Sequence, residues 1–367
     1  MYLSMCARCI VEPVRLSVAW LLLLLACLGV TAPSLADERK VEFYGLGEQS
    51  YVRSLAVDAD QRTLWVGASN GVLEIDLASM DPRNRFTRKD GLANEYVFAI
   101  GLAPDGAVWF GTNAGGTSRL HNGKWRTFFP MHGLADYWVY AFAFDKQQRV
   151  WIGTWDGANL FDPKTETFTT FHDELINHWV YGVDIDADGR VWFGTEGGVS
   201  MFDGSNWRSW THADGLGAPN REAAPASDNT GLGTRSRHDL EVGKSGGKSY
   251  NENYVFAVRV DQTGRGVWFG LWGGGAALLS REGVWTNFTS GDGLAGDIVY
   301  SLAQDDKGVM WFGTNKGISS FDGKRWTSYD LGRSPAHVYA LATTRSGDVF
   351  AGVKGGVVRL IAPKATP

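Results

Sequence analysis

Apolar and polar residues alternate in short runs along most of the chain, and Gly, Asp and Asn separate the runs. Such alternation, rich in Val, Ile, Phe, Tyr and Trp and bounded by turn formers, predicts β-strands. No segment carries a helical period with caps. One run recurs as apolar, Trp, apolar, Gly. It stands at Leu64-Trp65-Val66-Gly67, Val108-Trp109-Phe110-Gly111, Val150-Trp151-Ile152-Gly153 and Val191-Trp192-Phe193-Gly194. It returns at Val267-Trp268-Phe269-Gly270, Met310-Trp311-Phe312-Gly313 and, altered, at Val349-Phe350-Ala351-Gly352. The Trp positions are 44, 42, 41, 76, 43 and 39 residues apart, so six intervals join seven units and one interval holds an insertion.

Each unit divides into four short strands. In the clearest cases these are Tyr96–Ile100, the Trp anchor, Gly198–Phe202 and Asn206–Trp210. A four-stranded unit repeated seven times predicts a seven-bladed β-propeller. The last unit ends at Gly356–Leu360 without a fourth strand, while Lys40–Tyr44 precedes the first unit as an unassigned strand. The N-terminal strand is therefore expected to complete the last blade, which would close the ring and remove two exposed edges. The anchor Trp is expected between blades, and the anchor Gly where backbones approach closely.

Before the first unit the pattern changes. Arg8 and Arg15 are followed by the apolar run Leu16–Val30 and by Ser34-Leu35-Ala36. Residues 1–36 read as a signal peptide cleaved after Ala36, leaving 37–367 as the propeller. The run is shorter than a spanning helix needs. Leu24-Leu25-Ala26-Cys27 offers a second reading, a lipoprotein tethered to a membrane through Cys27. All three Cys (Cys6, Cys9, Cys27) lie in this leader, so the ring is expected to hold without disulfides. The localisation implied is periplasmic or secreted.

A formal net charge of −5, with no basic stripe, argues against a nucleic-acid partner. Gly243–Ser249 lacks the spacing and the strand–helix context of a phosphate loop. Asp184-Ile185-Asp186-Ala187-Asp188-Gly189 resembles the start of a calcium loop, but Thr195 stands where its bidentate Glu belongs, and a hairpin turn is expected. The seven His are dispersed, with no metal-ligand spacing and no nucleophile elbow. Neither a metal, a cofactor nor a catalytic residue is assigned.

The order Asp-Gly-Leu, Val, Asp–Gly turn, Trp-Phe-Gly-Thr resembles the two-component regulator propeller repeat. Asp90-Gly91-Leu92 through Thr112 and Asp292-Gly293-Leu294 through Thr314 carry it best; His132-Gly133-Leu134 and Asp173-Glu174-Leu175 are degenerate versions. The resemblance spans about residues 40–361 and implies the fold. In that family such propellers commonly form the periplasmic sensor half of hybrid histidine kinases. This sequence shows no kinase, no second membrane span and no module after the last blade. The expectation is a free-standing ligand-binding or sensor propeller that acts with a separate partner. An enzyme of lyase or lactonase type and an envelope scaffold stand as alternatives by fold analogy alone.

Subtracting the repeat leaves a set of unexplained aromatics. Trp138 and Trp179 open first strands, while Trp155 and Trp272 follow the anchor Gly. Both places open at the same end of a propeller. Asp156, His178, Glu196, Asn315 and His337 share these positions. Aromatic faces with a few polar groups suit a small molecule, a sugar or a peptide. The alternative is that these Trp wedge blades together. The 217–250 insertion, between blades 4 and 5, has no aromatic but Tyr250 and reads as a flexible loop, either a lid or partner-binding loop or a tolerated surface insertion.

Overall fold

A computed structural model describes residues 39–219, 252–333 and 336–363. The leader with Cys27 and residues 220–250 of the insertion lie outside them.

Seven antiparallel four-stranded sheets follow one another along the chain. Strands are lettered a to d within each blade. In blade 2 they are Val97–Leu102, Val108–Thr112, Thr117–His121 and Lys124–Phe128. Blade 7 contributes Ala340–Thr343, Val349–Val353 and Gly356–Ile361, and its fourth strand is Lys40–Gly45. That strand runs antiparallel from Lys40 opposite Ile361 to Gly45 opposite Gly356. The a strands of neighbouring blades touch all the way round, including blade 1 against blade 7. The chain is thus a seven-bladed propeller closed by its N-terminal strand, as its end strands required.

Two repeat residues hold blade to blade. The anchor Trp spans the gap: Trp109 lies 5.6 Å from Phe128 of its own blade and 5.4 Å from Phe161 of the next. Trp268 likewise meets Phe312 of blade 6 at 5.3 Å. Aromatic pairs of this kind add about 0.5–1.5 kcal/mol beyond the area they bury. In blades 4, 5 and 6 the indole N–H donates to a turn carboxylate: Trp192 to Asp186, Trp268 to Asp261 and Trp311 to Asp305, at 3.0, 3.0 and 3.1 Å. Asp186 also accepts from the backbone of Asp188 and Arg190. Its oxygens are committed to the hairpin, as the sequence implied for this calcium-like segment.

The anchor Gly has a different task. A Cβ on Gly111 would sit 2.6 Å from the carbonyl oxygen of Val139, the first residue of the next a strand. Gly153 meets Val180, Gly194 meets Val255, Gly270 meets Val299 and Gly313 meets Val338 at 2.7–2.9 Å. Gly352 meets Val52 at 2.7 Å, so the last blade grips the first in the same way. The Asp-Gly-Leu segment also serves architecture. Ser290–Asp292 form one 3₁₀ turn, ended by Gly293 at φ +114°, and Leu294 is buried beneath it. A Cβ on Gly293 would meet Trp326 at 2.7 Å.

Candidate functional site

The a strands have a shared irregularity. In blades 1 to 6 the a–b pairing skips one residue: Val97 pairs with Thr112 and Ala99 with Gly111, leaving Phe98 unpaired. The same skip leaves out Arg53, Tyr140, Tyr181, Phe256 and Tyr300. Tyr339 precedes the blade 7 strand at the corresponding place. A bulge re-aims the side chain of its extra residue. Here all seven line a cavity of about 270 Å³ on the axis.

These seven side chains form a closed circle of contacts. Ring centroids lie 5.0 Å apart for Phe98–Tyr140 and Tyr140–Tyr181, 5.5 Å for Tyr181–Phe256, 6.0 Å for Phe256–Tyr300 and 5.4 Å for Tyr300–Tyr339. Arg53 closes the circle, 4.7 Å over Tyr339 and 6.0 Å from Phe98. Burial lowers the Arg53 pKa from its usual value, but a guanidinium stays charged at physiological pH. Burial also raises the Tyr181 phenol well above 10.0, so Tyr181 remains a neutral hydroxyl.

The nine residues singled out from the sequence lie at one end of the ring, where a strands begin and b strands finish. Trp155 and Trp272 line the cavity, yet only 2% and 3% of their surface is exposed. Trp155 stacks on Trp179 at 4.5 Å, and Trp272 packs 5.2 Å from Phe256. Trp138 and Trp179 are half-buried against the same aromatic cluster and do not line the cavity. Glu196 is buried, and its N–H donates to the Trp179 carbonyl at 3.2 Å. Asn315 exchanges bonds with Ile298, its Oδ1 accepting from that N–H at 3.3 Å. His337 Nδ1 lies 3.4 Å from the Tyr339 hydroxyl. The bulge ring itself was missed. Its signal was in the sequence, as Tyr-Val-Phe, Trp-Val-Tyr, Trp-Val-Tyr, Tyr-Val-Phe, Ile-Val-Tyr and His-Val-Tyr at the start of six units, with Tyr51-Val52-Arg53 as the exception.

Two of the His that are dispersed along the sequence come together in the fold. Asp156, His172 and His178 each bring one donor atom to within 4.8 Å of the others. The two imidazoles stack at 4.9 Å, and His172 Nε2 lies 3.1 Å from Asp156 Oδ1. Two imidazoles and a carboxylate are a donor set that suits a divalent ion such as zinc. As it stands, Asp156 is satisfied by His172. A hydrogen bond to Asp173, aided by Asp156, raises the His172 pKa above its usual 6.5. These contacts favour the folded chain fully below pH 6.5 and fade as pH rises through the raised value. The ring is exposed, so their effect on stability is small. An NMR titration is expected to place the His172 midpoint above 6.5, and lower in Asp173→Asn. A wild-type midpoint at or below 6.5 would rule the contact out in solution.

A family profile described as "two component regulator propeller" matches residues 133–156, 174–197 and 293–316. The chain carries two component regulator propeller repeats. Each match runs from the Gly-Leu corner, or its degenerate form, to the b–c loop that borders the channel mouth. No curated protein matches the sequence. Among solved structures, the repeats superpose on an extracellular domain described as that of the B. thetaiotaomicron hybrid two component system BT3049. The TM-score is 0.69 at 19% identity, over 88% of this chain and 41% of that one. The corresponding BT4673 domain gives 0.63 at 16%, over 88% and 40%. The chain therefore spans about two fifths of the length of these extracellular domains. A streptogramin B lyase gives 0.63 at 14% identity, over 88% of this chain and 98% of the lyase. At these identities the likeness is one of fold. Among the described residues no helix is long and apolar enough to cross a membrane.

Proposed function

We propose that this chain is a periplasmic or secreted propeller of the ligand-binding, sensor type, which receives a small molecule at its channel mouth and acts with a separate envelope protein. The observation that carries this reading is the bulge ring. Blade-to-blade packing is already supplied by the Val–Gly and Trp contacts. The ring residues instead touch one another around an open space, where a close-packed core would have closed. Trp155 and Trp272 extend that wall toward the mouth. Trp138, Asp156, His178, Trp179, Glu196, Asn315 and His337 form the rim that a bound molecule would meet.

Inside the cavity the described lining residues offer mainly aromatic faces and phenols, with no carboxylate and no imidazole, and this composition supports binding as the leading reading. The likeness to extracellular domains of two component systems supports the sensor reading. A histidine kinase gene beside this one is the expected genomic arrangement.

Saturation-transfer NMR with the neutral probe 4-methylphenol tests the pocket. Transfer is expected with the wild type, and about tenfold weaker binding with Tyr140→Leu and Tyr300→Leu, which remove aromatic wall without changing charge. Equal transfer to wild type and variants would sink the channel-mouth reading.

A further inference from the structure

Arg53 breaks the pattern of its ring. It is the one charged residue among the described residues that line the cavity. Its Nε and Nη1 are buried with no hydrogen-bond partner. Its neighbours in the circle are the faces of Tyr339 and Phe98, and a third ring near it, Tyr96, has a buried hydroxyl that is also unpartnered. Four arginines at the blade turns differ. Arg149, Arg190, Arg265 and Arg359 each pair with a turn carboxylate at 2.6–2.7 Å.

Two of the three guanidinium nitrogens are out of water with no carboxylate beside them, the third faces the cavity, and ring faces return only part of that loss. Six blades place an aromatic side chain at this position, so the fold does not require a cation there. A residue that breaks a local rule at a cost to stability is the mark of a functional site. We infer that Arg53 makes the channel selective for a flat organic anion, a carboxylate on an aromatic body. The six rings would sandwich the body and the guanidinium would take the carboxylate. Arg matches carboxylate geometry with paired donors, and charge-assisted bonds of this kind are stronger inside an apolar wall than in water.

This inference rests on the ligand-pocket reading, and the test separates the two. Isothermal titration calorimetry uses three probes of one shape and three charges: 4-hydroxyphenylacetate, 4-hydroxyphenylacetamide and tyramine. The wild type is expected to bind the acid about tenfold or more above the amide, with tyramine weakest. Arg53→Met is expected to abolish the difference, so that acid and amide bind alike. Its melting temperature is expected to hold or rise, since a partly buried, unpaired charge is removed; a purely architectural Arg53 would make it fall. Arg53→Lys is expected to keep the preference for the acid. Equal binding of acid and amide by the wild type leaves the pocket standing and overturns the charge selection. A preference for the acid that survives in Arg53→Met overturns it too. Failure of all three probes to bind removes both readings.

Discussion

A chain carrying Gly111→Ala is expected to lose about 3 kcal/mol of stability and melt at least about 5 °C lower. The added methyl would stand 2.6 Å from the Val139 carbonyl oxygen and 2.7 Å from its Cγ1. The first contact is with backbone, which no side-chain rotation relieves. Moving Val139 away would shift the a strand of blade 3 and open the joint between the two blades. The comparison is Gly291→Ala. Its nearest neighbour is Thr289 Oγ1 at 3.4 Å, and its φ is not in the left-handed region, so a change within about 0.5 kcal/mol is expected. Denaturant melts of both variants decide the matter. If Gly111→Ala melts with Gly291→Ala, close packing at the anchor Gly does not hold the blades.

Starting the described ring at Leu46 in place of Arg39 has a larger expected effect. It removes Lys40–Gly45 and all six residue pairs with Gly356–Ile361. The lost strand is mostly exposed on the outside of its blade, so little core goes with it. What is lost is closure. The Gly356–Ile361 strand becomes an open edge whose backbone groups can pair with another molecule. The shortened ring is expected to melt more than about 10 °C lower and to associate as concentration rises. Scattering after size exclusion, together with thermal melts, reads both. A shortened ring that stays monomeric with an unchanged melt would show that the Val52–Gly352 contact closes the circle unaided.

The architecture was legible because it is written seven times. Trp65, Trp109, Trp151, Trp192, Trp268 and Trp311 set the register of six blades and Phe350 that of the seventh, and the bare ends at Tyr44 and Leu360 named each other. The site was legible in part. Trp155 and Trp272 stood out because they depart from the repeat, and both line the cavity. Arg53, Phe98 and Tyr140 escaped notice because strand alternation assigns the residue after the buried Val to the opposite face. A bulge cancels that parity; the paired registers show it, and the recurring triplets around the buried Val were its trace in the sequence. Asp156, His172 and His178 escaped for another reason. His172 follows a d strand, His178 precedes the next a strand and Asp156 sits in a b–c loop. Only the hop from blade 3 to blade 4 brings them together.

The pairing of Lys40 with Ile361 also orders events in time. The first of the described strands belongs to the last blade, so it must wait for Gly356–Ile361 before it finds its partner. Local hairpins can form as each blade emerges, but the final pairing spans nearly the full sequence and carries the entropy of that long loop. A chain interrupted anywhere has seven incipient blades at most and two unmatched edges. Completion is therefore a late, single event, and a partial product cannot pass for the finished ring.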